Sequence, residues 1–252
     1  MASLETPAGP ARPEFAAEAG FSERRLAFLL ILGGFVVFLA PQAAFAPEAF
    51  RLALAGSDDS MRLMQVRDLL AGQSWFDLTQ HRYLPPDGVA MHWSRLVDVP
   101  LAAGMLALAP FFGMPLAERM VVMLWPLVLF GAYAGLVGWG VLAVFAAGQM
   151  VVLWDMFGSG RIDHHNIQIV LMAASALGFG LSERGPRAAL ASDAACGLSL
   201  AVGLETLPFL VTVALAFALR WVAGEGEAAG AFRRFGSGLA AVILLVAGFL
   251  VF

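Results

Sequence analysis

The chain has 252 residues, of which 60% are hydrophobic and only 13% charged, with a formal net charge of −4. Soluble globular domains carry about 25% charged residues, so this composition excludes an ordinary soluble domain. With a mean hydropathy of +0.79, it points to an integral membrane protein. A single cysteine, Cys196, excludes a disulfide framework within the chain and a multi-cysteine zinc site.

A bilayer crossing takes roughly 20 apolar residues. Residues 1–25 read as a polar cytoplasmic tail ending in Arg24 and Arg25, and residues 26–46 as the first apolar run. Its closing "AAFA" suits a cleaved signal peptide, but the polar lead is long for one, so an uncleaved span is expected. Residues 47–117 read as a long outer loop. Within it, "SDDSMRLMQVRDLL" places Leu63, Val66, Leu69 and Leu70 at helical spacing, with Ser57 or Asp58 as N-cap. The stretch 101–113 is apolar but too short to cross, and reads as an interfacial helix. Residues 118–157 are almost uncharged, and as helix they would reach about 60 Å, enough for two crossings with a turn near 135–140.

A second outer loop, 158–166, follows. A further apolar run occupies 166–182; after the polar turn "SERGPR" (182–187) come a run to about 203 and another from 206 to 222, then a polar loop from Arg220 to Arg234, then a final run from near 237. The sequence ends inside that run and reads as a piece of a longer protein. Residues 26–252 therefore read as one all-α, multi-span transmembrane domain, truncated at its C-terminus. With the N-terminus cytoplasmic, Arg184, Arg187, Arg220, Arg233 and Arg234 all fall inside, which satisfies the positive-inside rule. The loop 47–117, the "GRIDHHN" loop and the "GLET" turn then fall outside.

Those outer segments hold most of the acids and imidazoles. Asp58 and Asp59 open the first predicted helix, where they either cap and solvate it or face a site. In "GRIDHHN", Asp163 and His165 are one residue apart, and on an irregular loop alternate side chains point the same way. Both can bind one cation, or one can orient the other; His164 and Asn166 read as structural, Asn166 as a cap. Glu205 either snorkels to the interface or lines a polar cavity. Three loops thus bring Asp58 or Asp59, Asp163 with His165, and Glu205 to one face. Hard oxygen donors suit Mg²⁺ or Mn²⁺, and an imidazole tilts the set toward Mn²⁺. Arg62, Arg67, Arg82, Arg95 and Arg161 on the same side are natural clamps for phosphate, with Arg67, Arg95 and Arg161 as the leading candidates. Acids, a metal and arginines beneath a bilayer point to chemistry on a lipid-linked phosphate.

The motifs resemble those of GT-C type membrane glycosyltransferases, most closely the N-terminal part of oligosaccharyltransferase catalytic subunits. Asp58 with Arg67 nine positions on is similar to the family's first outer-loop motif, and Asp163–His164–His165 to its second. "YLPPDGVAMHWSRLVD" resembles the end of the first loop. The resemblance covers roughly residues 26–210. It implies a GT-C bundle in which Asp58, Asp163 and His165 hold a catalytic Mn²⁺ or Mg²⁺, with Asp59 able to stand in for Asp58. It also implies transfer of a glycan from a polyprenyl-(pyro)phosphate donor to a protein, lipid or glycan acceptor on the periplasmic face of a bacterial inner membrane. In that reading the catalytic carboxylates are Asp58, Asp59 and Asp163, membrane lipids are partners, and no nucleic acid is. A later glutamate and a C-terminal domain of the family have no counterpart here, and Glu205 takes no family role. The rival reading is an ion- or proton-coupled transporter that uses the Asp/His cluster as a relay; a third is a non-catalytic scaffold.

Overall fold

The computed structural model describes residues 46–54, 56–137, 155–224 and 228–251. The expected first span, and the turn and second crossing expected within 118–157, lie outside the described residues.

Helix α1, Ser57–Leu70, carries Asp58 and Asp59 in its first turn and Arg67 in its last, the polarity a helix dipole favours. Gly56 rather than Ser57 or Asp58 is its N-cap; Ser57 lies inside the helix and turns its hydroxyl to Asp58. The buried face is Asp59, Arg62, Leu63, Gln65 and Val66, so charged groups share one stripe with apolar ones. A short hairpin follows, with β1 (Thr79–Gln80) antiparallel to β2 (Val89–Ala90). Helix α2, Asp98–Phe112, covers the short apolar stretch 101–113 and begins three residues earlier than it. Leu101 and Met105 of α2 pack on Leu63 and Val66 of α1, together with Val122 and Ile162. Arg95 binds the 65–98 segment together. Its guanidinium, 1% exposed, donates to the Gln65 carbonyl (3.0 Å), Asp98 (3.2 Å), Gln73 (2.8 Å) and the Asp77 carbonyl (2.6 Å).

Helix α3 spans Met114–Val137, α4 His165–Gly180, α5 Pro186–Val202, α6 Leu207–Val222 and α7 Ala228–Val251. Two stretches among the described residues, Met114–Leu136 and Ala228–Leu245, are long and apolar enough to cross a membrane. The α2 and α6 helices are apolar but shorter. Helix α7 starts well before the expected final run, so Arg233 and Arg234 lie within helix rather than in a polar loop. The reason is visible in the sequence: Ala228, Ala231 and Phe235 continue a buried face at helical spacing, and alanine and arginine are strong helix formers.

Helices α4, α5 and α6 run up, down and up. Gln168 near the start of α4 bonds Glu205 beyond the end of α5 (2.9 Å). At the other end, Arg220 of α6 reaches the Phe179 carbonyl, the Ser182 hydroxyl and Glu183. Trp221 stacks on Phe232 of α7 there, at 5.3 Å between ring centroids. Polar groups therefore gather at two opposite ends, separated by the 16 residues of α4, about 24 Å of helix. Between them the helices approach closely through Ser175, Gly178 and Ser192, with Ser192 Oγ donating to the Ser175 carbonyl (2.8 Å).

Candidate functional site

The site begins with Asp59. At 0% exposed, its Oδ1 accepts the backbone amides of Ile162 (2.8 Å) and Asp163 (3.0 Å), more than a hundred residues away in sequence. Its Oδ2 faces Arg161 Nη1 at 3.2 Å. The same guanidinium reaches Asp163 Oδ2 through Nη2 at 3.1 Å, while Asp163 Oδ1 accepts the amide of His165 (3.1 Å). The chain turns sharply just before this point, at Gly160, whose φ of +89° favours glycine. Asn166 Nδ2 closes the turn on the Arg161 carbonyl (2.9 Å) instead of capping α4. Asp58 does not join this cluster; it is half-buried and accepts a hydrogen bond from Ser57 (3.1 Å). Burial, reinforced by the neighbouring Asp163, pushes the Asp59 carboxyl up to about 6, although Arg161 and the two amides oppose it.

His164, expected to be structural, is a junction. Its Nδ1 faces Arg62 Nη2 at 3.5 Å and its Nε2 faces Glu205 Oε1 at 3.3 Å. A guanidinium only donates, so Nδ1 accepts and the neutral ring carries its hydrogen on Nε2, toward Glu205. Burial lowers the affinity of this imidazole for a second proton, and His165 and Arg62 add to the effect. Arg62 is itself anchored by Asp98 (2.9 Å) and the Ser94 carbonyl (3.1 Å), and lies 5.0 Å from the Trp93 ring. The His164 and His165 rings sit 4.3 Å apart, because α4 already begins at His165 and the expected alternation of side chains does not hold there.

Glu205 receives the Gln168 amide as well as the His164 hydrogen. Gly203 makes this fold-back feasible, since a Cβ there would come within 3.0 Å of Gln168 Nε2. Burial works to raise the Glu205 carboxyl but is outweighed by the Gln168 bond, its own amide and His164, so it titrates below the usual range. With 44% of its side chain exposed, Glu205 opens with His165, Gln168 and Thr206 onto a cleft of about 460 Å³. Ile169, Met172 and Phe209 give that cleft an apolar wall.

Of the expected phosphate clamps, Arg62 and Arg95 are buried against Asp98, Arg67 pairs with Glu118, Arg82 pairs with Asp68, and Arg161 spans Asp59 and Asp163. The donor types suit a hard dication, but their arrangement does not. Arg161 lies between the two carboxylates, and no group of three or more His, Cys, Asp and Glu among the described residues is placed to hold a metal. The site thus comprises Asp59, Arg161, Asp163, His165 and Glu205. They are joined by His164, expected to be structural, and by Arg62, expected on a polar face as a phosphate clamp but buried on the Leu63–Val66 face. Gln168 also joins them, a lone amide in an apolar run that the sequence did not mark out. Comparison with protein families, curated proteins and solved structures finds no match to the chain.

Proposed function

We propose that the chain is the membrane-embedded part of a transferase that moves a glycan from a polyprenyl-(pyro)phosphate donor to an acceptor at the periplasmic face of a bacterial inner membrane. One observation carries the reading. Asp59 and the Asp163–His165 turn, 104 residues apart, meet beside a cleft that is polar at Glu205 and apolar along Met172 and Phe209. Such a cleft suits an amphiphile, with the isoprenoid against the apolar wall and the headgroup at the polar end. The multi-pass placement is supported by the two spanning-length helices, and its direction by Arg184, Arg187 and Arg220 at the end away from the site.

In this reading Glu205, ionised and oriented by His164 and Gln168, accepts the proton of an acceptor hydroxyl or amide. Arg161, whose side chain is 20% exposed, supplies positive charge to the departing phosphate. Arg67 and Arg95 hold the outer segment in register. A divalent ion, Mn²⁺ or Mg²⁺, belongs to the resemblance and not to the arrangement of these residues.

The test is to purify the protein in mild detergent and identify retained lipids by mass spectrometry. Transfer from a fluorescent polyprenyl-diphosphate glycan is then assayed in membranes. Polyprenyl phosphate should co-purify, and Glu205→Gln and Asp163→Asn should each lower transfer by about 100-fold or more. Full transfer by both folded variants, or no binding of polyprenyl phosphate, would sink the reading. A relay for ions is the second reading, favoured by Asp193, 1% exposed at the middle of α5 and opposite Gly238 of α7. Proton or cation flux in liposomes that disappears in Asp193→Asn would select it.

A further inference from the structure

Four polar residues of α5 are buried within the bundle: Ser192, Asp193, Cys196 and Ser199. Three of them have hydrogen-bond partners. Ser192 Oγ donates to the Ser175 carbonyl (2.8 Å), Cys196 Sγ lies 3.0 Å from Ser175 Oγ, and Ser199 Oγ lies 2.7 Å from Thr206 Oγ1. Asp193 has no side-chain partner on either oxygen among the described residues. What α7 sets against it is backbone, at Gly238 and Leu239, and Oδ2 fills the place that a Cβ would take at Gly238. No cation among the described residues pairs with it. Helix α4 has no ionisable side chain beyond His165 at its start, and α6 has only Arg220 in its last turn, held by Glu183. Arg184 and Arg187, near the start of α5, are exposed. On α7, Arg233 is exposed, and Arg234 lays its guanidinium back against Gly230, away from Gly238.

We propose that Asp193 is a proton-binding site: a carboxylic acid that keeps its proton in the folded chain, seated in the notch at Gly238. The proposal is independent of the transferase reading. It deepens the relay reading by naming the ion, and rests on that reading only for movement of the ion across the bilayer. An ionised carboxylate at this position, 1% exposed at the middle of α5, would have neither a cation nor a donor side chain to offset its charge. A buried acid so placed neutralises instead. A metal cation needs several oxygen or nitrogen donors, and among the described residues no second acid or imidazole stands with Asp193 to hold one. The neutral acid also suits the packing. Gly197 of α5 makes room for Val242 of α7 as Gly238 makes room for Asp193, so the two helices interlock through a pair of glycine notches.

The test is the infrared spectrum of the full chain in lipid near neutral pH. A carbonyl band of a protonated carboxylic acid should be present and should shift in heavy water. It should disappear in Asp193→Asn and survive in Asp59→Asn, which controls for the other buried acid. Should Asp193→Asn fail to fold, as judged by thermal melting, Asp193→Ser, small enough for the notch, takes its place. A spectrum without such a band, or a band that persists when Asp193 is replaced, overturns the proposal. Proton flux in liposomes tests the relay reading separately. The band without flux upholds the proposal and removes the relay; flux without the band removes the proposal and leaves the relay to another ion.

Discussion

Replacing Asp59 with alanine should be far more damaging than replacing its neighbour Asp58. Asp59→Ala deletes the acceptor of two buried amides, at 2.8 and 3.0 Å, and one of the two acids facing Arg161. Hydrogen bonds to a charged group contribute about 1.5–3 kcal/mol each. Breaking a buried charge pair by removing one partner costs about 3–5 kcal/mol. The contributions overlap on a single carboxylate, so the expected loss is about 3–5 kcal/mol, the range for the pair itself. Asp58 is half-buried and bonds the hydroxyl of Ser57, so Asp58→Ala should stay within about 0.5 kcal/mol. At about 2–4 °C per kcal/mol for a chain of this size, Asp59→Ala should melt about 6–20 °C lower and Asp58→Ala within about 2 °C of the unaltered protein. The chain carries its own reporter. Cys196 is free and buried, so a thiol-reactive fluorophore in detergent micelles lights up as the bundle opens. Equal melting temperatures for the two variants would refute the placement of Asp59 and with it the contact between α1 and the 161–165 turn.

Stability should also depend on pH through this one carboxyl. Its folded value, about 6, lies above the unfolded 3.8, so the folded state holds the proton longer. The stabilisation from that proton is full below the unfolded value and is lost as pH rises through the folded one, about 3 kcal/mol in all. The difference in melting temperature between the unaltered chain and Asp59→Asn should therefore change between about pH 4 and 6 and level off above; a difference constant across that window contradicts the assignment. In the bundle, a Cβ at Gly178 would sit 2.7 Å from both the Ala188 carbonyl and the Ser192 amide. Gly178→Leu should thus force α4 and α5 apart and lower stability by about 1–3 kcal/mol or more. Gly131→Ala, where nothing lies within 4 Å, should raise it by up to about 1 kcal/mol. Tryptophan fluorescence melts read both, and equal effects would mean that the α4–α5 approach is misplaced.

The helical character and the meeting of the two acidic loops were legible because both rest on local signals: apolar runs, and acids where apolar periodicity breaks. The choice between Asp58 and Asp59 was also within reach. Asp59 stands four residues before Leu63 and seven before Val66, on the face those residues bury, whereas Asp58 is turned about 100° away. Partners of the arginines were not legible. Arg95 has one acid at helical spacing, Asp98, but its other acceptors are a carbonyl on α1 and groups at 73 and 77, which only the packed loop brings near. The role of His164 is not legible either, because its two nitrogens are fixed by Arg62 and Glu205, 102 and 41 residues distant in sequence.

The dependence of Asp59 on amides 103 and 104 residues downstream also has a consequence in time. A ribosome adds about 5–20 residues per second, so Asp59 waits about 5–20 s between its own synthesis and the arrival of Ile162 and Asp163. Once α1 has emerged from the ribosome, it spends the rest of that interval without the backbone that satisfies its carboxylate, and water must serve in its place.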